Sequence, residues 1–344
     1  MKILLDYNIE ELEHFMVNIG EQKFRSKQVY QSMLLGQSLD ENTTLSKALK
    51  QKLSKYVWQP IEIYKVYEGK KAIKFLYKLY DNNIVEGIVM FHNYGNTLCV
   101  STQVGCRMGC KFCASTLDGL VRNLSTGEIL GQIVAVNKYL GGTITDRKIT
   151  NIVLMGSGEP LDNYENVVKF LKEVTSKDGF NFSKRNISLS TCGIADKIDR
   201  LAEDFGGLVL TISLHQADQN KRQEIMPIAN KYSLQTLMKS VKNYVDKGGR
   251  RAIFEYTLID GVNDSKKDAE LLAKITKGIL CHINLIPLNY VKERNLQTSK
   301  NIEKFEEELI KLGCSVTIRQ SLGSDIEGAC GQLRRKFVEG GNDE

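Results

Sequence analysis

No stretch of the 344-residue sequence is apolar over the length that a membrane span needs, and the amino end offers only Ile3-Leu4-Leu5 before Asp6, Glu10 and Glu11 intervene. That pattern excludes a spanning anchor and a secretory leader as readings, so the cytoplasm is the expected location. Internal repeats and low-complexity segments are missing, which sets aside repeat arrays. Cysteine is thin: eight residues in so long a chain do not make a disulfide-stapled secreted fold, and free thiols are expected. Nor is there a second Cys-x-x-Cys or a His-x3-His pair to close a four-ligand zinc site.

What is present suits one large domain with one or two appendages, since 42% hydrophobic content can fill a sizeable core. The net charge of +6 is concentrated: residues 21–80 hold 12 Lys and Arg against 5 Asp and Glu. Such a local excess suits a phosphate backbone, although a solvated lysine-rich surface reads the same. Ile9, Leu12, Phe15, Met16 and Ile19 recur at helical spacing behind the capping pair Asn8 and Glu11, and two further amphipathic helices are expected over 25–34 and 44–57. Residues 1–57 therefore read as a basic helical module, fit for docking RNA or for capping the main domain. Over 58–97 the pattern alternates and is broken by Glu68-Gly69, Asp81-Asn82-Asn83 and Asn93-Tyr94-Gly95-Asn96, the marks of hairpins and a small antiparallel extension that leads into a strand over 98–104. From 98 to 322 helices and strands alternate, which predicts parallel β/α units in a barrel or an open part of one, and 323–344 form a glycine-flanked tail.

The chain is organised around Cys99 to Cys113. Cys106, Cys110 and Cys113 stand at C-x3-C-x2-C, with Gly105 and Gly109 letting the backbone curl so that three sulfurs face one point. Three thiolates suit a cubic iron–sulfur cluster with one iron left open; zinc, with His92 or Cys99 as a fourth ligand, is the rival, and a run of buried cysteines the bland reading. This loop, the Gly156-Ser157-Gly158-Glu159 turn, Ser190, His215 and Asn289 each fall at or just past the carboxyl end of a predicted strand, where β/α barrels gather their active sites.

Cys106-Arg-Met-Gly-Cys110-Lys-Phe-Cys113 resembles the signature of the radical S-adenosylmethionine (SAM) enzymes. With Cys99, Gly158-Glu159-Pro160-Leu161, Ser188-Leu189-Ser190-Thr191, Ser213-Leu214-His215, Asn284-Leu285-Ile286-Pro287-Leu288-Asn289 and Ala329-Cys330-Gly331-Gln332-Leu333, the chain is similar over nearly its whole length to the RlmN dual-specificity RNA methyltransferases. The resemblance implies an α/β fold: a radical SAM partial (β/α)6 barrel with an N-terminal helical accessory domain and a small antiparallel β extension.

It further implies one 4Fe-4S cluster on Cys106, Cys110 and Cys113, with SAM held by Gly158, Glu159, Ser190, Ser213, Leu214, His215 and Asn289. Ser157 stands where the family more often has methionine. Cys330 becomes the methyl carrier, Cys99 the resolving thiol in a transient disulfide with it, and Glu86 the proton acceptor; a glutamate facing water is the plain alternative for the last. The implied reaction methylates C2 of an adenine in 23S rRNA and of one beside the anticodon in certain tRNAs, in a monomer with a flavodoxin-type electron donor and no membrane partner. C2 of adenine is neither acidic nor nucleophilic, which is why a radical route is needed. The C8-specific Cfr-type methyltransferases are the nearest rival, disfavoured by Pro160 and Pro287, and an RNA-binding protein with a structural zinc loop is the non-enzymatic one. Cys192, Cys281 and Cys314 read as small buried hydrophobes. Lys184, Arg185, Arg250, Arg251, Arg334, Arg335 and Lys336 extend a track for phosphate or serve as solvated loops.

Overall fold

The computed structural model describes residues 2–248, 250–320, 322–333 and 336–337; Arg334 and Arg335 lie outside them. The chain opens with α1 (Ile9–Asn18), α2 (Arg25–Leu34) and α3 (Lys47–Leu53). The Asn8 side chain accepts from Glu11 N–H at 2.8 Å and the Glu11 carboxylate from Asn8 N–H at 2.9 Å, a reciprocal cap. The third helix is shorter than its amphipathic pattern suggests. Ser46 caps it, Ser54 ends it, and Val57 leaves the helix to bridge Ile3. These helices bury Leu12, Met16, Val29 and Leu49 in the same apolar cluster as the barrel core, and Tyr30 donates to Glu173 at 2.9 Å across the junction.

Next come β1 (Ile61–Glu68), β2 (Ala72–Leu79), β3 (Asn83–His92) and β4 (Gly95–Cys99), successively antiparallel. The ribbon β5 (Gln103–Gly105) and β6 (Leu120–Asn123) follows, then α4 (Thr126–Tyr139), β7 (Asn151–Leu154), α5 (Tyr164–Thr175), β8 (Ile187–Thr191), α6 (Ala195–Asp204), β9 (Val209–Ser213), α7 (Gln219–Ile225), α8 (Leu234–Gly248), β10 (Ala252–Leu258), α9 (Lys266–Thr276), β11 (Cys281–Pro287), α10 (Ile302–Lys311) and β12 (Val316–Ile318). One sheet runs β1-β2-β3-β4-β7-β8-β9-β10-β11-β12, parallel from β4 onward, and the two-residue β13 (Lys336–Phe337) pairs with β3. The antiparallel extension is thus continuous with the barrel sheet. The helices bury one face against it: Ile198 and Leu201 of α6, and Val167, Phe170, Leu171 and Val174 of α5, are all fully covered.

The strand expected over 98–104 is two strands. Ser101 N–H donates to the Gln132 side chain at 2.9 Å and Thr102 N–H to Ser157 O, so the chain leaves the sheet after Cys99 and re-pairs in the β5–β6 ribbon. That ribbon clamps both ends of the cysteine loop. At its entry Gly105 has φ +75°, and a Cβ there would lie 2.0 Å from Gly119 O. Gly141 shares φ +75° but has open space around it. Gly141→Ala is therefore expected to cost about 1 kcal/mol, whereas Gly105→Ala adds a backbone collision and should lose at least ~2 kcal/mol more; urea denaturation of the two variants side by side reads the difference.

Candidate active site

Two cavities occupy the barrel. The first opens at the carboxyl ends of the strands and is lined by Cys106, Cys110, Cys113, Gly156, Gly158, Glu159, Ser190, Ser213, His215, Asn289 and Cys330. The second, of ≈ 500 Å³, opens at the amino ends, where Asn151, Ile187, Val209 and Ile253 form its walls, and it contains Cys99, Arg319 and again Cys330. Met155, Glu255, Ile286, Asn289 and Cys330 line both. Of these shared wall residues only Cys330 carries a nucleophile.

The three loop cysteines fit a cluster. Burial pushes Cys106 up to about 12 and Cys110 well above its ordinary value, with the neighbouring cysteines adding to both, so all three ionise together only if positive charge meets them. Among the described residues no three His, Cys, Asp or Glu side chains converge where a single ion could sit. All three loop cysteines line the first cavity, and a cube would take one thiolate on each of three irons. A buried cation completes the picture. Arg222 is fully covered, donates to Leu214 O (3.1 Å) and Cys192 O (2.7 Å), and keeps Nη1 without a hydrogen-bond partner among the described residues. Desolvation pulls its pKa down while Cys192 and Cys110 pull it back up, as expected of a guanidinium behind an anionic group. No motif marks this residue, because Lys221-Arg222-Gln223-Glu224 has the composition of a solvated helical turn.

Opposite the loop, Glu159 is buried and accepts from Cys192 N–H (2.7 Å) and Leu161 N–H (3.0 Å); desolvation raises its pKa and those two donors oppose the rise. Its neighbour Gly158 packs so closely on Gln103 that a Cβ would lie 2.6 Å from that side chain. Ser190 and Ser213 share a hydroxyl contact at 3.3 Å. His215 Nδ1 accepts from Thr257 N–H at 3.0 Å, and burial, with Arg222 behind it, lowers its pKa to about 3. The ring is therefore neutral with its proton on Nε2, a donor available to a ligand. Leu214 is fully buried and is not part of either cavity wall; it takes part through its backbone, donating to Glu255 O.

Cys99 and Cys330 come together in the second cavity. Burial pushes the Cys99 thiol up to about 12, and Cys330 is the next cause, so the two sulfurs feel one another; all eight cysteines are free. Burial raises Cys330 too, and Arg319 opposes the rise. Arg319 is held by Glu255 at 2.6 Å and reaches Met155 Sδ at 4.0 Å. Asn289 Nδ2 donates to Cys330 O at 3.0 Å. Glu86 lines neither cavity. It is 1% exposed rather than facing water, with Lys74 3.8 Å away, but it shares a strand face with Ile88, Met90 and His92, which do line the second cavity. Of the remaining cysteines only Cys192 is buried; Cys281 and Cys314 are half-buried in a shared surface hollow, because Cys281 opens β11 and Cys314 precedes the edge strand β12.

Two family models match the chain: the ribosomal RNA large subunit methyltransferase N-terminal domain over residues 3–58 and the radical SAM superfamily over residues 100–272. The probable dual-specificity RNA methyltransferase RlmN of Clostridium novyi (strain NT) is 49% identical over 345 residues, covering 98% of this chain and 99% of that protein. The protein of the same description from Clostridium perfringens (strain 13 / Type A) is 47% identical, covering 98% of each. Among solved structures, a radical SAM methyltransferase from Sphaerobacter thermophilus superimposes with a TM-score of 0.92 at 37% identity, over 97% of this chain and 99% of that one. No helix among the described residues is long and apolar enough to cross a membrane.

If Arg222 balances the charge of a bound cluster, Arg222→Met should reconstitute with markedly less iron and sulfide than the parent under identical anaerobic conditions, and Arg222→Lys should recover part of it. Equal iron content in Arg222→Met, at equal folded fraction by circular dichroism, would count against that role.

Proposed function

Because the chain belongs to the RlmN family of radical SAM RNA methyltransferases, we propose that it methylates C2 of an adenine in 23S rRNA and in a subset of tRNAs, with Cys330 as the methyl carrier. The observation that supports this most is the position of Cys330, on the wall common to a cavity fit for cluster and SAM and a cavity open at the other end of the barrel. Cys106, Cys110 and Cys113 hold the cluster, leaving one iron for SAM. Gly158, Glu159, Ser190, Ser213, Leu214, His215 and Asn289 hold SAM itself: Glu159 is a buried carboxylate for an ammonium, neutral His215 a donor, and the serine pair suits ribose hydroxyls. A bound cluster would supply the electron that breaks the sulfonium of SAM and thus the means to take a hydrogen atom from the methyl group carried on Cys330.

The chain's own groups do the rest. The Cys330 sulfur, as thiolate, attacks the methyl carbon of one SAM and keeps it while S-adenosylhomocysteine leaves, and Arg319 is the cation beside it. The target adenine enters the second cavity flipped from its stack, since a stacked base hides its C2 edge. Glu86 takes the C2 proton, one step along the strand face from Ile88 on the cavity wall and with Lys74 3.8 Å away. Once the Cys330 methylene is bonded to C2, the Cys99 thiolate attacks the Cys330 sulfur: the S–S bond forms as the S–CH2 bond breaks, and the carbon keeps the electron pair and takes a proton to become the product methyl. Residues 1–57 and the Lys-rich strands after them dock RNA, 323–344 carry Cys330, and a flavodoxin-type protein supplies electrons to the monomer.

Cys99→Ala, incubated anaerobically with SAM, reductant and RNA, should accumulate protein covalently joined to RNA; full turnover with only free RNA would refute the resolving role. Cys330→Ala should still release 5′-deoxyadenosine from SAM yet transfer no methyl, and any residual methylation would refute the carrier. Mass mapping of the modified adenine from the parent enzyme tests the position, for which C8 methylation is the contrary result.

A further inference from the structure

At the amino-end mouth of the second cavity stands Tyr94. It lines the cavity yet is 75% exposed, the most open large apolar side chain of the described residues. One face of its ring rests on His92, with centroids 4.6 Å apart and planes inclined by 10°, so the other face is left to solvent. The pair sits on the two-residue turn between β3 and β4, where His92 and Gly95 are register partners. That turn is pinned to the chain entering β7: Asn96 O accepts from Thr150 N–H (2.9 Å) and Thr150 Oγ1 (3.0 Å), and Asn96 Nδ2 donates to Lys148 O (2.8 Å). The backbone that carries the ring is therefore held, and His92 backs one face of it, so less freedom remains to be lost when something stacks on the other. Around it the field is positive. Arg185 shares the cavity rim, and the charges of Arg319 and Lys71 reach His92.

We propose that Tyr94, backed by His92, is the stacking platform for the nucleobase adjacent to the adenine that enters the barrel. An adenine leaving its strand exposes a face of its neighbour, and an aromatic ring fixed at the entrance replaces the lost stack. Arg185 on the rim and Lys71, whose charge reaches His92, meet the phosphates on either side of the extruded nucleotide. This platform rests on the methyltransferase reading above, because it presumes that the base enters by this mouth.

The test uses the full-length reconstituted enzyme and an RNA hairpin bearing the reactive adenine in its loop, with binding followed by fluorescence anisotropy in the absence of SAM. Tyr94→Ala should weaken binding by about 5- to 100-fold, and Tyr94→Trp should restore it to within a few-fold of the parent. Removing the flanking base, first on the 5′ and then on the 3′ side of the target, should on one side weaken the parent by the same factor while costing Tyr94→Ala nothing further. Tyr94→Ala binding within twofold of the parent, or keeping its full penalty on both abasic RNAs, overturns the platform. Methylation of the intact hairpin by the parent, run in parallel, separates the two claims: if it proceeds, such a result removes the platform alone, and if the parent neither binds nor methylates the hairpin, both readings fall.

Discussion

A single cysteine, Cys330, stands on the wall of two cavities, and the path of the carboxyl-terminal segment is what puts it there. This segment has little regular structure, yet its carbonyl groups are taken up in turn by other parts of the barrel. Lys74 Nζ donates to Glu327 O at 3.3 Å, Asn289 Nδ2 to Cys330 O at 3.0 Å, Ala114 N–H to Gly331 O at 2.8 Å and Ser115 Oγ to Leu333 O at 2.6 Å. These donors come from the antiparallel extension, the loop after β11 and the cysteine loop itself. Each bond is worth only ~1 kcal/mol net, but together they tie the tail to the three structures that must meet around Cys330. A displacement that depends on in-line approach tolerates little drift of the attacking atom, so this stitching is a requirement of the proposed chemistry and not only of the fold.

Two guanidiniums, the half-buried Arg319 on the second cavity's wall and the buried Arg222 behind the first, differ in their surroundings. Arg319 has a carboxylate partner, Glu255, so its charge is largely matched before any thiol ionises. Arg222 is met by carbonyl oxygens and keeps one nitrogen unpartnered among the described residues. A buried ion pair adds little stability on balance, because desolvation offsets the attraction. The Arg319–Glu255 pair is better understood as a fixed positive edge beside a cysteine that passes between thiolate and thioether. An unmatched guanidinium is more costly still, and a fold keeps one only where an anion restores the balance, which a cluster on three thiolates does.

Much of this was legible in the residues. Polar or glycine-rich segments directly after β-branched runs placed Glu159, Ser190, His215 and Asn289 on one rim, and the rim is there. Asn8 and Glu11 announced a cap that forms. What escaped were features decided by contacts distant in sequence. The strand through Cys99 stops early because Gln132 and Ser157 take the N–H groups of Ser101 and Thr102, and the helix over 44–57 stops early because Val57 pairs with Ile3. Arg222 lies on a short helix whose sequence is that of a solvated turn. Cys281 and Cys314 were misread as core because a strand pattern does not say whether the strand is central or at an edge, and β12 is at the edge.

The two-ended barrel also bears on how incompatible demands are reconciled. Cleaving SAM calls for a site that excludes water and stray reductant, whereas a folded RNA needs a wide, cationic approach. The cofactor residues gather at the carboxyl ends, under the loop that the β5–β6 ribbon closes, while Tyr94, His92 and Arg185 stand at the amino ends. Between them lie the shared wall residues Met155, Glu255, Ile286, Asn289 and Cys330. On the proposed reading a methyl group is the only thing that has to cross this partition, and a cysteine in the wall carries it with no more than a turn of its side chain. The extra step of parking the methyl on protein is thus the geometric consequence of keeping the two substrates at opposite mouths.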